Sequence, residues 1–250
     1  MKKSIFQYVL GLADDALIIG QRLSEWAYRA PFLEEDIALS NISLDLFGRA
    51  NLLLEYASEI KGGRTSADNL AFKRNEREFF NHLLCEQPNG DFGKTIVRQF
   101  FFDSFYLLFL TRLAKSKDLQ LSAISQKSLK EVTYHFRHSS QWVIRLGAGT
   151  QESHEKLQNA VNVLWVFTDE FFNMNDIDKM MVKQKIGVDR QALKVEWDKE
   201  INKVLKKATL KRPEKGHIIS GGKEGIHSEH LGHLLSDMQY LQRAYPDAEW

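Results

Sequence analysis

The sequence predicts an all-α chain, an antiparallel four-helix bundle followed by additional C-terminal helices. Three observations carry that expectation. The 250 residues contain only 4 prolines, Pro31, Pro88, Pro213 and Pro246, each beside turn-like composition. Proline inside a helix costs about 3 kcal/mol or more, so the long proline-free stretches can stay helical. Apolar residues recur in them at three- and four-residue steps. No run of alternating apolar and polar residues is bounded by hairpin turns, so no significant sheet is expected.

The first helix is predicted from Ser4 to Tyr28, with Ile5, Val9, Leu12, Ala16, Ile19, Leu23 and Trp26 on its buried stripe, and it stops at Arg29-Ala30-Pro31. The second runs from Glu35 to Ile60 and exits at Gly62-Gly63, residues able to take the left-handed conformation of a helix end. A shorter helix is expected over Asn75 to Cys85. Pro88-Asn89-Gly90-Asp91 then reads as a turn whose Asp91 caps a third long helix reaching Lys115. That helix is too aromatic for one buried stripe, so it is expected to be covered on more than one side. Asp118 caps a fourth, which ends at Gly147-Ala148-Gly149. Further helices are predicted over 153–172, 189–208 and 228–243, and Gly216 to Gly225 reads as an ordered or partner-dependent loop. The whole, 1–250, is expected to form one domain, with a core bundle over about 4–147 and extra helices over about 153–243.

Lys and Arg total 34 against 33 Asp and Glu, a formal charge of +1. No global field therefore draws the chain to nucleic acid or to anionic lipid. The basic run Lys203 to Arg212 reads as a solvated helix end. The single cysteine, Cys85, rules out an internal disulfide and fits a reducing compartment. No apolar stretch approaches the roughly 18 residues that span a bilayer, and the start of the sequence lacks a secretory pattern, so a cytoplasmic location is expected.

The chemistry-bearing signal is a set of acids on predicted helices. Asp103 shares its helical face with Ile96, Phe100, Leu107 and Leu110, and must be protonated, paired with a base or bound to a metal there. Asp45 has a mixed surround, including Asn41 and Arg49, while Glu131 shares its face with Ile124, Ser128, Tyr134, His135 and His138. Facing carboxylates inside a bundle, with Glu-x-x-His turns from two helices, are how carboxylate-bridged di-iron sites are built. Here Gly48 stands three residues after Asp45 and Tyr134 three after Glu131, so the ligand set is incomplete. Counting from a turn near Ser116-Lys117 puts Asp103 level with Glu131, and counting from Pro31 puts Asp45 level with Ile18 or Ile19. Arg22 and Arg49 are candidate charge partners that replace a cation between the carboxylates. A competing reading keeps an active di-iron site of unusual composition, using Asp45, Asp103, Glu131 and His135, with His138 in a shifted register. His227, His230 and His233 resemble a zinc-binding turn without a fourth ligand, and a surface or interface cluster is the favoured reading. Cys85, beside Leu83 and Leu84, reads as a buried inert thiol.

Several long stretches carry a resemblance: QRLSEW (Gln21 to Trp26), ALSNISLDLFGRA (Ala38 to Ala50), the segment Leu70 to Asp103, KEVTYHFRHS (Lys130 to Ser139) and Gly221 onward with LGHLLSDMQYLQRAYP. Over almost its whole length the chain resembles the C-subunit family of the bacterial ring 1,2-phenylacetyl-CoA epoxidases, multicomponent monooxygenases of aerobic phenylacetate breakdown. The resemblance implies a ferritin-like helical protein that holds no iron and is not an enzyme on its own. It further implies that Asp45, Gly48, Asp103, Glu131 and Tyr134 are vestiges of a metal site, and that the di-iron cofactor belongs to a catalytic A subunit which this chain stabilises. Contact with the B subunit, and a homodimer when isolated, are expected as well. An apolar face on the aromatic third helix is the candidate surface for docking the A subunit. A small-molecule binding or regulatory module is a third reading.

Overall fold

A computed structural model of the chain describes residues 2–214, 218–246 and 248. It is all-α, as the sequence predicts, with no strand among the described residues. Two compact units are distinguished, residues 1–88 with 221–250 and residues 89–220.

The first unit is built on a hairpin of two long helices, α1 (Lys2–Ser24) and α2 (Leu33–Lys61). α1 ends at Ser24, four residues before the predicted last helical residue Tyr28, in tight turns that carry Tyr28 at a positive φ of 65°. α2 exits through Gly62 at φ 74°, as the glycine pair predicts. The two helices approach closely where α1 has no side chain, since a Cβ on Gly20 would lie 3.2 Å from Leu46 and Phe47. Beside it the Ser43 hydroxyl donates to the Gly20 carbonyl at 2.8 Å, which sets the hairpin's register and puts Ile18 level with Asp45.

The segment after α2 differs from the expected single helix over Asn75 to Cys85. A short helix, α3 (Ala67–Phe72), is followed by a single 3-10 turn at Glu76–Glu78 and, after an extended stretch, by one turn of helix, α4 (Leu83–Glu86). The reason is tertiary. The backbone N–H groups of Phe80 and His82 donate to the carboxylates of Asp14 and Asp15 on α1, so they do not enter a helical ladder.

The second unit holds a second long hairpin, α5 (Phe92–Leu113) and α6 (Leu119–Gly147), with α7 (Gln151–Trp165), α8 (Asp176–Lys183) and α9 (Lys194–Lys207). The predicted caps are observed: Asp91 accepts from the Lys94 N–H and Asp118 from the Leu121 N–H. The region expected as one helix over 153–172 stops at Trp165 and continues as a 3-10 turn, Thr168–Phe172.

α5 is covered on several sides, as its aromatic density predicts. Phe100 meets Phe136 of α6, Phe101 meets Trp165 of α7 and Trp197 of α9, and Phe105 stacks nearly parallel on Phe171 at 4.6 Å. Phe100, Phe101, Phe102, Phe105, Tyr106 and Phe109 are all buried. This corrects the expectation that the aromatic helix presents its rings to a partner protein, because the rings are buried within the folded chain, Phe100, Phe101 and Phe105 against other elements of this unit.

The chain returns to the first unit with a 3-10 turn at Gly222–Glu224 and α10 (Glu229–Ala244). Of the loop expected over Gly216 to Gly225, Gly216 and His217 lie outside the described residues, whereas the stretch from Gly221 is ordered by close packing. A Cβ on Gly222 would sit 2.0 Å from the Asn81 carbonyl oxygen, and one on Gly225, at φ 75°, 2.5 Å from the Arg77 carbonyl oxygen.

Candidate functional site

In the second unit Asp103 is completely buried. Its Oδ1 accepts from the Gln99 side-chain amide at 2.7 Å, one turn back along α5, and its Oδ2 accepts from the Ser139 hydroxyl of α6 at 2.9 Å. The hairpin register thus sets Ser139 against the carboxylate. Glu131, expected level with Asp103, precedes Ser139 by eight residues, about 12 Å of helix. Glu131 is half-buried. Tyr134 is 49% exposed, its ring stacked beside His138 with centroids 6.4 Å apart, and His135 is buried.

In the first unit Asp45 is half-buried, Gly48 is exposed on α2 and Arg49 is buried. Nothing lies within 4 Å of the position a Cβ on Gly48 would take. Arg22 sends Nε and Nη2 to the Glu86 carbonyl at 3.1 and 2.9 Å, Nη2 also to the His230 carbonyl at 3.0 Å, and Nη1 to Glu25 at 2.8 Å.

The same unit contains a buried polar network that joins α1, the 74–87 segment and the C-terminal return. Asp14 takes the Arg74 guanidinium and the Phe80 N–H. Asp15 takes the His82 N–H at 2.6 Å, the His82 ring at 2.9 Å and the Lys223 ammonium at 2.7 Å. Burial by itself would push the Asp15 carboxyl up, but the His82 ring and the Lys223 ammonium more than offset it and hold it well below the ordinary carboxylate range. Cys85 is buried with its thiol 3.7 Å from Asp15 Oδ1. Glu86, also fully buried, accepts from the Asn81 amide at 3.0 Å, the Ser228 N–H at 2.7 Å and the His227 ring at 2.8 Å.

The chain matches the phenylacetic acid catabolic protein family over residues 1–250. It belongs to that family. It is also similar to the C subunit of the 1,2-phenylacetyl-CoA epoxidase of Escherichia coli (strain K12), 48% identical over 243 residues that cover 97% of this chain and 98% of that protein. The likeness runs over nearly the full length of both chains.

Whether this family member's own residues fit a di-iron centre can be judged at the Glu-x-x-His positions. Glycine offers no ligand atom, and Gly48 faces open space. Tyr134, half-exposed against His138, does not fit as an imidazole replacement. Among the described residues, no group of three or more His, Cys, Asp or Glu side chains is gathered to hold a metal ion. No described helix is long and apolar enough to cross a membrane.

The histidine cluster is corrected in part. The His227 side chain is fully buried in the Glu86 network, His230 is half-buried and contributes a backbone carbonyl to Arg22, and His233 is exposed. The sequence reading missed the network as a unit. Its one legible signal was Asp14-Asp15, consecutive acids inside the otherwise apolar stretch from Val9 to Ile19.

Proposed function

We propose that the chain is the non-catalytic C-type subunit of a phenylacetyl-CoA epoxidase, a structural partner that stabilises the iron-bearing A subunit. The observation that carries this reading is the replacement of both expected imidazoles, by Gly48 on α2 and by Tyr134 on α6, in a chain 48% identical to the C subunit of such an epoxidase. The disposition of Asp103 supports it. Both of its oxygens accept from neutral side chains, Gln99 and Ser139, which are partners that a structural group in the core would use. The reading includes a cytoplasmic location, a di-iron cofactor carried by the A subunit, contact with the B subunit, and self-association when the chain is isolated.

An obligate interface with the A subunit would bury about 2,000 Å² or more. Co-expression of the two chains tests the proposal: they should co-elute, and the A subunit should be less soluble when expressed alone. Iron analysis of this chain purified by itself separates it from the active di-iron reading. About two irons per chain, or an A subunit that stays soluble and never co-elutes, would sink the structural role.

A further inference from the structure

The first unit carries an open pocket of about 650 Å³, within the usual size of a small-molecule site. Its body is apolar. Phe6 and Leu10 of α1, Ile60 of α2, Leu70 of α3 and Phe80 line it. Its rim is basic, with Lys2 and Lys3 in the first turn of α1, Lys61 at the end of α2, and Arg77.

Two features make this distribution more than a solvated edge. The first turn of α1 has no acidic residue, and its lysines add to the positive end of the helix dipole, where acids are normally favoured. Lys61 lies over the Phe6 ring, 5.5 Å from its centroid, so a cation sits directly on the apolar wall. The one carboxylate among the lining residues, Glu78, accepts from the Asn75 N–H as a helix cap. Arg74, at the floor, is already committed to Asp14 and to the Glu78 carbonyl. None of Lys2, Lys3, Lys61 or Arg77 forms an ion pair with an acid among the described residues.

We propose that this pocket binds an amphipathic organic anion, its apolar chain or ring against Phe6, Leu10 and Leu70 and its carboxylate or phosphate head at the rim formed by Lys61, Arg77 and the first turn of α1. An apolar cavity alone would take neutral ligands; exposed cations at its rim, none ion-paired with an acid among the described residues, add the preference for a negative head.

Calorimetric titration of the full-length chain with decanoate, decyl phosphate, decyltrimethylammonium and decanol, below micelle formation, tests the assignment. Saturable binding of at least one of the two anions is expected, weakening as salt is raised, with the cationic analogue at least tenfold weaker. Which anion binds more tightly identifies the head group. The double substitution Lys61→Glu with Arg77→Glu should lower anion affinity tenfold or more while circular dichroism stays unchanged. If that protein fails to fold, Lys2→Glu with Lys3→Glu serves instead, with a loss of threefold or more. Failure of both anions to saturate, equal affinity for the cationic analogue, or unchanged affinity in the folded charge-reversal variant would overturn the proposal.

Discussion

His227 donates through Nδ1 to the Glu86 carboxylate at 2.8 Å while its Nε2 lies 2.9 Å from the Phe79 carbonyl. Both partners are acceptors, so a ring that satisfies both must carry two N–H groups, the imidazolium form. Burial by itself lowers the His227 pKa. The Glu86 hydrogen bond and charge, the Phe79 carbonyl and the Glu76 charge outweigh that and raise it above the ordinary 6.5.

A pH dependence follows from that geometry. A histidine whose pKa is raised on folding contributes stability that is fully present below its unfolded value, about 6.5, and is lost as pH rises through the folded value. Substituting His227→Gln should therefore destabilise the chain most at about pH 6, by about 3 kcal/mol for a broken buried pair. The difference from wild type should shrink toward alkaline pH. Urea unfolding of both proteins from pH 6 to 9 measures it, and a pH-independent gap would contradict the imidazolium.

The Asp103 carboxylate gives a second expectation. Asp103→Ala leaves the Gln99 amide and the Ser139 hydroxyl without this acceptor, and leaving a buried polar group unsatisfied costs about 1–3 kcal/mol. A loss of about 3 kcal/mol or more is expected, and Ser139→Ala should cost about 1–2 kcal/mol. Denaturant midpoints decide. An Asp103→Ala protein as stable as wild type would show that these contacts contribute little.

Gly222 gives a third, concerning the attachment of the C-terminal return. Its α-hydrogen side is so close to the Asn81 carbonyl that any side chain must move the backbone. Gly222→Ala should cost about 1–3 kcal/mol as overpacking does, and should expose residues 221–228 and the Glu86 network together. Hydrogen exchange should show faster amide exchange at Ser228, whose N–H donates to Glu86. An unchanged exchange pattern would mean the segment is held elsewhere.

What could be read from the sequence was what acts over a few residues. The Gly62 exit and the Asp91 and Asp118 caps bounded long helices because capping and φ preference are local properties, and Pro31 marked the connection between the first two without fixing where α1 ends. The burial of Asp103 and the enclosure of the aromatic helix were legible in the same way, from helical periodicity. The missing imidazoles at Gly48 and Tyr134 were visible as spacing alone. Tertiary structure decided the rest, because each remaining choice depended on a distant partner. The 75–85 segment lost its helix to carboxylates more than sixty residues away on α1. Ser139 came to face Asp103 through the register of a hairpin that no single residue specifies. His227 found Glu86 across 141 positions. A buried charge needs its counter-charge, and only the folded chain selects which one it meets.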